Sequence, residues 1–293
     1  MIQFKGILKE SSVFSKLLLL IGTTSFFTLV ALLLWKISSN GDISDINSIK
    51  SMQLFQSIGM FVIPPFIVAY FWSKKPFTLL QIDKKVELRS LISVVVFMII
   101  VIPFINLLSE FNQQLVLPKS LAGIEQMMKA SELQTAKITE QLLNVNSISS
   151  LLFNIFLIAM LPALGEELFF RGVLQRIFYK WRGAVTAIWL SAFIFSAIHF
   201  QFYGFLPRLL LGAFFGYLLL WSGNLWLPII AHFINNLMAV VYFYLKNNGY
   251  QVIDIETLGA ENTQWVGWIS GGIALIGIIW LRQTKKLLPT KAD

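Results

Sequence analysis

The sequence predicts an all-α protein, a polytopic membrane helix bundle of about eight transmembrane helices with an amphipathic helical connector. The chain of 293 residues is 56% hydrophobic and only 13% charged, whereas soluble domains are about a quarter charged. Its apolar runs approach the length of about 20 residues that a bilayer core requires, and short polar segments separate them. Backbone polar groups in lipid need internal partners, so we expect every span to be helical.

Eight apolar runs are the predicted spans. In chain order they are residues 17–35, 58–72 with an extension toward Met52, 91–108, 148 to about 170, 184–200, 206–221, 225–245 and 265–281. The first run has no small-residue cleavage site after it, so we expect a retained helix and not a signal peptide.

The distribution of basic residues predicts the orientation of the chain. With the N-terminus in the cytoplasm, the inside segments hold 16 of the 23 basic residues. These segments are residues 5–16, 74–89, 171–182 and 282–291, the last including Lys285, Lys286 and Lys291. The bias predicts a multi-pass protein with cytoplasmic N- and C-termini. Because the basic residues lie in short segments between apolar runs, we expect no nucleic-acid partner despite the net charge of +8.

Three regions are predicted along the chain. Residues 1–147 hold three spans and the connector, residues 148–246 hold a core with unusual polar residues, and residues 247–293 hold a last span and a basic cytoplasmic tail. The connector, residues 110–147, has apolar residues at helical spacing and is expected to lie on the outer surface. It either shields the bundle or forms a lid over a site. Gly212 and Gly216 form a GxxxG pattern that predicts close helix packing.

The first cluster of unusual polar residues is Glu166, Glu167 and Arg171, which follow a long uncharged run. Ionisable groups at such a position are costly and therefore indicate function. Glu167 and Arg171 are four residues apart, so they are expected to pair on a helix. Glu166 points about 100° away and is left as a candidate general base. The alternative is a helix end whose charges mark the membrane interface.

Two further clusters contain the two histidines of the chain. Phe195 and His199 share one helix face at a spacing of four residues. His232 and Asn236 share another, with Asn235 on a neighbouring face. An imidazole and a carboxamide on one face suit an oxyanion hole, part of a metal shell, or simple interhelical hydrogen bonding.

Together these groups are suited to hydrolysis by an activated water. Ser191 and Ser196 lie nearby, but neither is in a nucleophile elbow. The chain has no HExxH motif and no cysteine, which excludes disulfides and cysteine-based zinc sites.

These motifs resemble those of the CAAX protease and bacteriocin-processing family, also called the Abi or type II CAAX prenyl endopeptidase family. Residues 166–171 are similar to its EExxxR motif, residues 195–199 to its FxxxH motif and residues 232–236 to its HxxxN motif. Their order and separation also fit, and the resemblance covers about residues 148–240. It makes residues 148–246 the expected catalytic core.

The resemblance implies an eight-span intramembrane endopeptidase with a water-filled cavity open to the cytoplasm and the bilayer. It implies that Glu166 and His199 activate the water, and that His232 and Asn236 stabilise the oxyanion. Glu167, Arg171, Phe195 and Asn235 would support them. No cofactor is required by this scheme, although Glu166, His199 and His232 are the expected ligands if zinc is bound; we favour the metal-free chemistry.

The expected substrate is a hydrophobic or lipid-anchored peptide or protein presented by membrane lipid. Two other classes of function stay open. One is a non-proteolytic scaffold or regulator with the same fold. The other is a proton-coupled transporter using the buried glutamate and histidine, against which no internal repeat is visible.

Overall fold

The computed structural model describes residues 4–284, and every regular element in that range is a helix. Lys285, Lys286 and Lys291, which the charge bias assigns to the cytoplasm, lie outside the described residues. The main helices are α1 (Val13–Ser39), α2 (Ile46–Trp72), α3 (Leu88–Ile100), α4 (Ile102–Gln113), α5 (Ala122–Leu143), α6 (Ile148–Arg182), α7 (Ala184–Ala197), α8 (Phe205–Ser222), α9 (Trp226–Asn247) and α10 (Gln264–Thr284). The predicted all-α membrane bundle is therefore confirmed.

The count of eight spans is not confirmed. Within residues 4–284, six helices are long and apolar enough to cross a bilayer, and α3 with α4 raises the number to seven if the bent pair is one span. The predicted fifth span is shorter than expected, because α7 has only 14 residues. At 1.5 Å per residue it measures about 21 Å, less than a bilayer core of about 30 Å.

The predicted third span is broken in the middle. Helices α3 and α4 meet at Val101 with a bend of 42°. Pro103 stands in the first turn of α4, where its missing N–H costs no helical hydrogen bond. A proline at this position starts a new helix and accounts for the bend.

The helix of the predicted fourth span continues past Phe170, because α6 ends at Arg182 and is 35 residues long. Two stretches of α6 are π-helical, Ile155–Met160 and Leu168–Leu174. The second begins directly after Glu167. Such turns shift the faces of a helix and are frequent at functional sites.

The connector forms one amphipathic helix, α5, in agreement with the prediction. It packs over the turn between α7 and α8, where the Tyr203 hydroxyl donates to Glu125 at 3.3 Å and the Tyr203 backbone N–H donates to Glu132 at 3.4 Å. Lys129 pairs with Glu125 at 2.7 Å and lies over the Tyr203 ring. The helix is thus fixed over the loop that follows His199.

Helix α6 runs between two halves of the core. One apolar cluster joins α6 to α1, α2 and α7, and Phe170 is fully buried in it. A second cluster joins α8 and α9 to α3 and α10, and Phe215 is among its most buried members. The polar residues of the sequence motifs lie where α6, α7, α8 and α9 meet.

Candidate active site

Glu167 and Arg171 form a buried ion pair within α6. Arg171 Nη1 lies 2.8 Å from Glu167 Oε1, and neither side chain is exposed to solvent. The predicted pairing is therefore confirmed. The guanidinium also lies over the Phe195 ring at 4.6 Å and the Phe215 ring at 5.4 Å. A buried charge requires such compensation, since burial without a partner is strongly unfavourable.

The GxxxG pattern of α8 accommodates two polar side chains of α6. Arg171 Nη2 donates to the Gly212 carbonyl at 2.8 Å, and Gln175 Nε2 donates to the Gly216 carbonyl at 3.2 Å. A Cβ at Gly212 would lie 3.1 Å from Arg171 Nη2, and one at Gly216 would lie 2.7 Å from Gln175 Oε1. The glycines therefore expose their carbonyls to α6, which adds hydrogen bonding to the close packing predicted for them.

His232 connects α9 to this ion pair. Its Nδ1 lies 3.0 Å from Glu167 Oε1, and its ring stacks on Phe215 with centroids 5.3 Å apart. Phe195 packs edge-on against the same ring at 6.0 Å. One oxygen of Glu167 therefore fixes both Arg171 and His232, and the aromatic neighbours set the plane of the imidazole.

Glu166 faces the other nitrogen of His232. Its Oε2 lies 3.8 Å from His232 Nε2, which is too long for a direct hydrogen bond. The Glu166 side chain is 14% exposed, whereas that of Glu167 is 0% exposed. The two adjacent glutamates thus have different surroundings. Oε1 of Glu167 binds both Arg171 and His232, whereas Glu166 has no hydrogen-bond partner among the described residues.

His199 lies just beyond the end of α7. Its Nδ1 is 2.7 Å from the Phe195 carbonyl, and its ring packs edge-on against Phe195 at 5.2 Å. Phe195 therefore contacts both histidines of the chain. With Nδ1 engaged, Nε2 is the nitrogen left for other chemistry.

The two asparagines of α9 form a hydrogen bond with each other. Asn235 Nδ2 donates to Asn236 Oδ1 at 3.3 Å, and both side chains are half-buried on α9. Asn236 makes no hydrogen bond to either glutamate or histidine within the described part of the chain. Its expected oxyanion role stays a prediction.

The described residues do not present a metal site. No three His, Cys, Asp or Glu side chains are grouped within residues 4–284 in a way that would hold an ion. Glu167 already binds Arg171 and His232, and the nearby guanidinium opposes a cation. The expected zinc ligands Glu166, His199 and His232 therefore do not fit zinc in this arrangement, and the label metalloprotease finds no support.

Both nearby serine hydroxyls are engaged with backbone carbonyls. Ser191 donates to the Phe170 carbonyl at 3.2 Å, and Ser196 donates to the Phe205 carbonyl at 2.7 Å. Neither is activated by a histidine, which agrees with the prediction that the site has no serine nucleophile.

Arg208 was not among the predicted site residues, and it lies outside the four basic segments assigned to the cytoplasm. It stands in the first turn of α8 and is only partly exposed. It lies within electrostatic range of Glu166, His199 and Glu132. A charge at the start of an apolar run, nine residues after a motif histidine, was the available signal.

The fold and these contacts define a polytopic helical membrane protein with a glutamate, arginine and histidine site buried between four helices. Residues 148–238 match the family described as "Type II CAAX prenyl endopeptidase Rce1-like". The match lies inside the predicted core of residues 148–246 and contains all three motifs, so the resemblance is confirmed.

A curated relative is 31% identical over 101 residues, which are 33% of this chain: "Uncharacterized protein YpbD" of Bacillus subtilis (strain 168). The match covers 47% of that relative, so the chain spans about half of its length. No solved structure gives a significant match to the chain.

Proposed function

We propose that this protein is an intramembrane endopeptidase that hydrolyses peptide bonds of hydrophobic or lipid-anchored substrates. The observation that carries the proposal is the contrast between the two glutamates. Glu167 is fixed by Arg171 and His232, while Glu166 is left without a hydrogen bond, 3.8 Å from His232 Nε2. A free carboxylate beside an oriented imidazole is what activation of a water requires.

In the proposed reaction, Glu166 takes a proton from water while the water oxygen bonds to the peptide carbonyl carbon. His199, at the end of α7, orients the same water. The tetrahedral oxyanion accepts hydrogen bonds from the Asn236 amide and from Nε2–H of His232 in its imidazolium form, since Nδ1–H of the same ring donates to Glu167. The C–N bond then breaks, and Glu166 returns the proton to the leaving amine, so that water has been added across one amide.

The remaining residues position these groups. Glu167 and Arg171 hold the His232 ring, Phe195 packs against both histidines, and Asn235 hydrogen-bonds to Asn236. The match of residues 148–238 to the CAAX prenyl endopeptidase family supports a substrate class of membrane-anchored, prenylated proteins, with bilayer lipid as the surrounding partner. We propose no metal or other cofactor and no nucleic-acid partner.

The test uses purified protein in proteoliposomes with an internally quenched apolar peptide. Glu166→Gln and His199→Ala should each lower turnover by about 100-fold or more, the size typical of losing a general acid–base group. Glu140→Gln, on the exposed face of α5, is the matched control and should retain wild-type turnover. Unchanged turnover in the Glu166 variant would refute the proposal.

A second measurement addresses the chemistry. Because the donor set does not fit zinc, a chelator such as EDTA should leave turnover unchanged. Activity that disappears with the chelator and returns with added Zn²⁺ would instead favour a metal-dependent mechanism.

A further inference from the structure

The guanidinium of Arg208 lies in a confined position beside the candidate active site. Its Nη2 donates to the Gln201 side-chain oxygen. A Cβ on Gly204 would lie 3.0 Å from Nη2, so the turn between α7 and α8 lies directly against this side chain. The turn is itself held by α5, through Tyr203.

The charge of Arg208 has no direct counter-ion. No carboxylate within residues 4–284 forms an ion pair with it, and its one hydrogen-bond partner, Gln201, is neutral. Its Nη1 is a buried nitrogen without a hydrogen-bond partner. Arg171 differs in this respect, because Glu167 compensates its charge directly. A guanidinium kept partly out of water with an unused donor is costly, and a bound anion would lower that cost.

We infer that Arg208 recognises the C-terminal carboxylate of the bound peptide and thereby positions the scissile bond near that end. Guanidinium donors match a carboxylate in geometry and charge. Both acidic side chains within electrostatic range, Glu166 and Glu132, stay outside ion-pair distance, so the donor is free for a ligand. The inference rests on the proposed peptidase function, since it assigns one end of that substrate.

The experiment measures binding of two fluorescent apolar peptides of identical sequence, one with a free C-terminal carboxylate and one with a carboxamide. Binding is measured in the Glu166→Gln background, so that no peptide is consumed. The carboxylate peptide should bind about tenfold tighter or more, as expected for a charge-assisted hydrogen bond. Adding Arg208→Gln should reduce the difference to less than about twofold.

Two controls separate recognition from a structural role. Gln201→Ala removes the neutral tether and should retain the preference for the carboxylate peptide. Arg182→Gln removes an exposed arginine elsewhere and should also retain it. A structural role of Arg208 would weaken both peptides equally in the Arg208 variant.

Three outcomes overturn the inference: equal binding of the two peptides, no binding of either, or a preference that survives Arg208→Gln. The proposed peptidase function is tested separately, by measuring peptide cleavage with the protein that retains Glu166. A protein that binds with the carboxylate preference but cleaves nothing would retain the recognition site and lose the peptidase assignment.

Discussion

The imidazole of His232 on α9 and the carboxylate of Glu167 on α6 are joined at 3.0 Å, between residues 65 positions apart in the chain. The same carboxylate oxygen holds Arg171 at 2.8 Å. Arg171 in turn donates to the Gly212 carbonyl of α8. One glutamate therefore joins three helices, and disturbance at any of these contacts should reach the imidazole.

Glu167→Gln should strongly destabilise the protein. The substitution removes the only direct counter-ion of Arg171 within the described residues, and breaking one partner of a buried pair costs about 3–5 kcal/mol. Thermal unfolding in detergent should show a clear decrease of the melting temperature.

Glu166→Gln is the matched comparison, because the two glutamates are adjacent and only one has hydrogen bonds. It should leave the melting temperature close to that of the wild type while removing activity. Equal melting temperatures for the two variants would show that the ion pair does not stabilise the bundle.

Gly216→Ala should destabilise the contact between α6 and α8. The added Cβ would lie 2.7 Å from Gln175 Oε1 and 2.9 Å from Ile188, so side chains must move, at a typical cost of about 1–3 kcal/mol. Gly212→Ala should also lower activity, because its Cβ presses on Arg171. Gly272→Ala, with open space around it, should have no such effect; a matching loss there would show a general effect of alanine.

The contribution of Glu125 to the docking of α5 should be lost in acid. The hydrogen bond from Lys129 holds the pKa of Glu125 below its ordinary value of 4.5. A carboxylate with a lowered pKa stabilises the folded arrangement above that ordinary value, and the contribution is lost as pH falls through the lowered pKa. In the Glu132→Gln variant, where Glu125 is left to titrate without that second carboxylate, the protection factors of residues 122–143 should therefore fall at low pH, after correction for the intrinsic pH dependence of amide exchange.

Two variants of α5 test whether each carboxylate strengthens or weakens the docking of this helix. Glu125→Gln should accelerate exchange at neutral pH and reduce its acid dependence. Burial raises the pKa of Glu132, so its ionised form opposes docking and Glu132→Gln should slow exchange at neutral pH. Faster exchange in both variants would show that the two carboxylates act in the same direction.

The orientation of the chain can be measured directly, because it contains no cysteine. The charge bias predicts that a cysteine at Arg182 reacts with an impermeant maleimide from the cytoplasmic side, and one at Lys137 from the outer side. Both positions are exposed. Labelling of intact cells and inverted vesicles should give opposite results for the two.

The same labelling bears on where the site opens. Tyr203, four residues after His199, contacts α5, so this end of α7 lies on the α5 side. The charge bias makes that side external, whereas the resemblance implies a cytoplasmic opening. Labelling of Lys137→Cys from the cytoplasm would reverse the charge-based orientation.

Hydropathy predicted the helices well because each apolar run has to satisfy its own backbone. It did not predict the length of α6, since the charges after Phe170 suggested an interface. The first of those charges, Arg171, is compensated inside the bundle by Glu167 and by the Gly212 carbonyl. The bend at Val101 was also missed, although Pro103 was visible, because proline permits a kink without requiring one.

The site was predictable in part for a similar reason. Spacing alone gave the pairing of Glu167 with Arg171, which is local to one helix. The contact of His232 with Glu167 crosses two helices, and spacing within one helix cannot specify it. Arg208 was missed because a charge at a helix start normally belongs to the interface. It is half-buried because the turn between α7 and α8 packs against it.

The brevity of α7 has a consequence for the lipid around it. A helix of 14 residues spans only about two thirds of the hydrocarbon core of a bilayer. The backbone that continues from Ala197 toward Phe205 finds its partners in the protein, since Asn112 donates to the Phe202 carbonyl and the Tyr203 N–H donates to Glu132. Because α7 is shorter than the hydrocarbon core, we expect the bilayer to be thinner beside it. Lipids with shorter acyl chains should then surround the protein with less distortion.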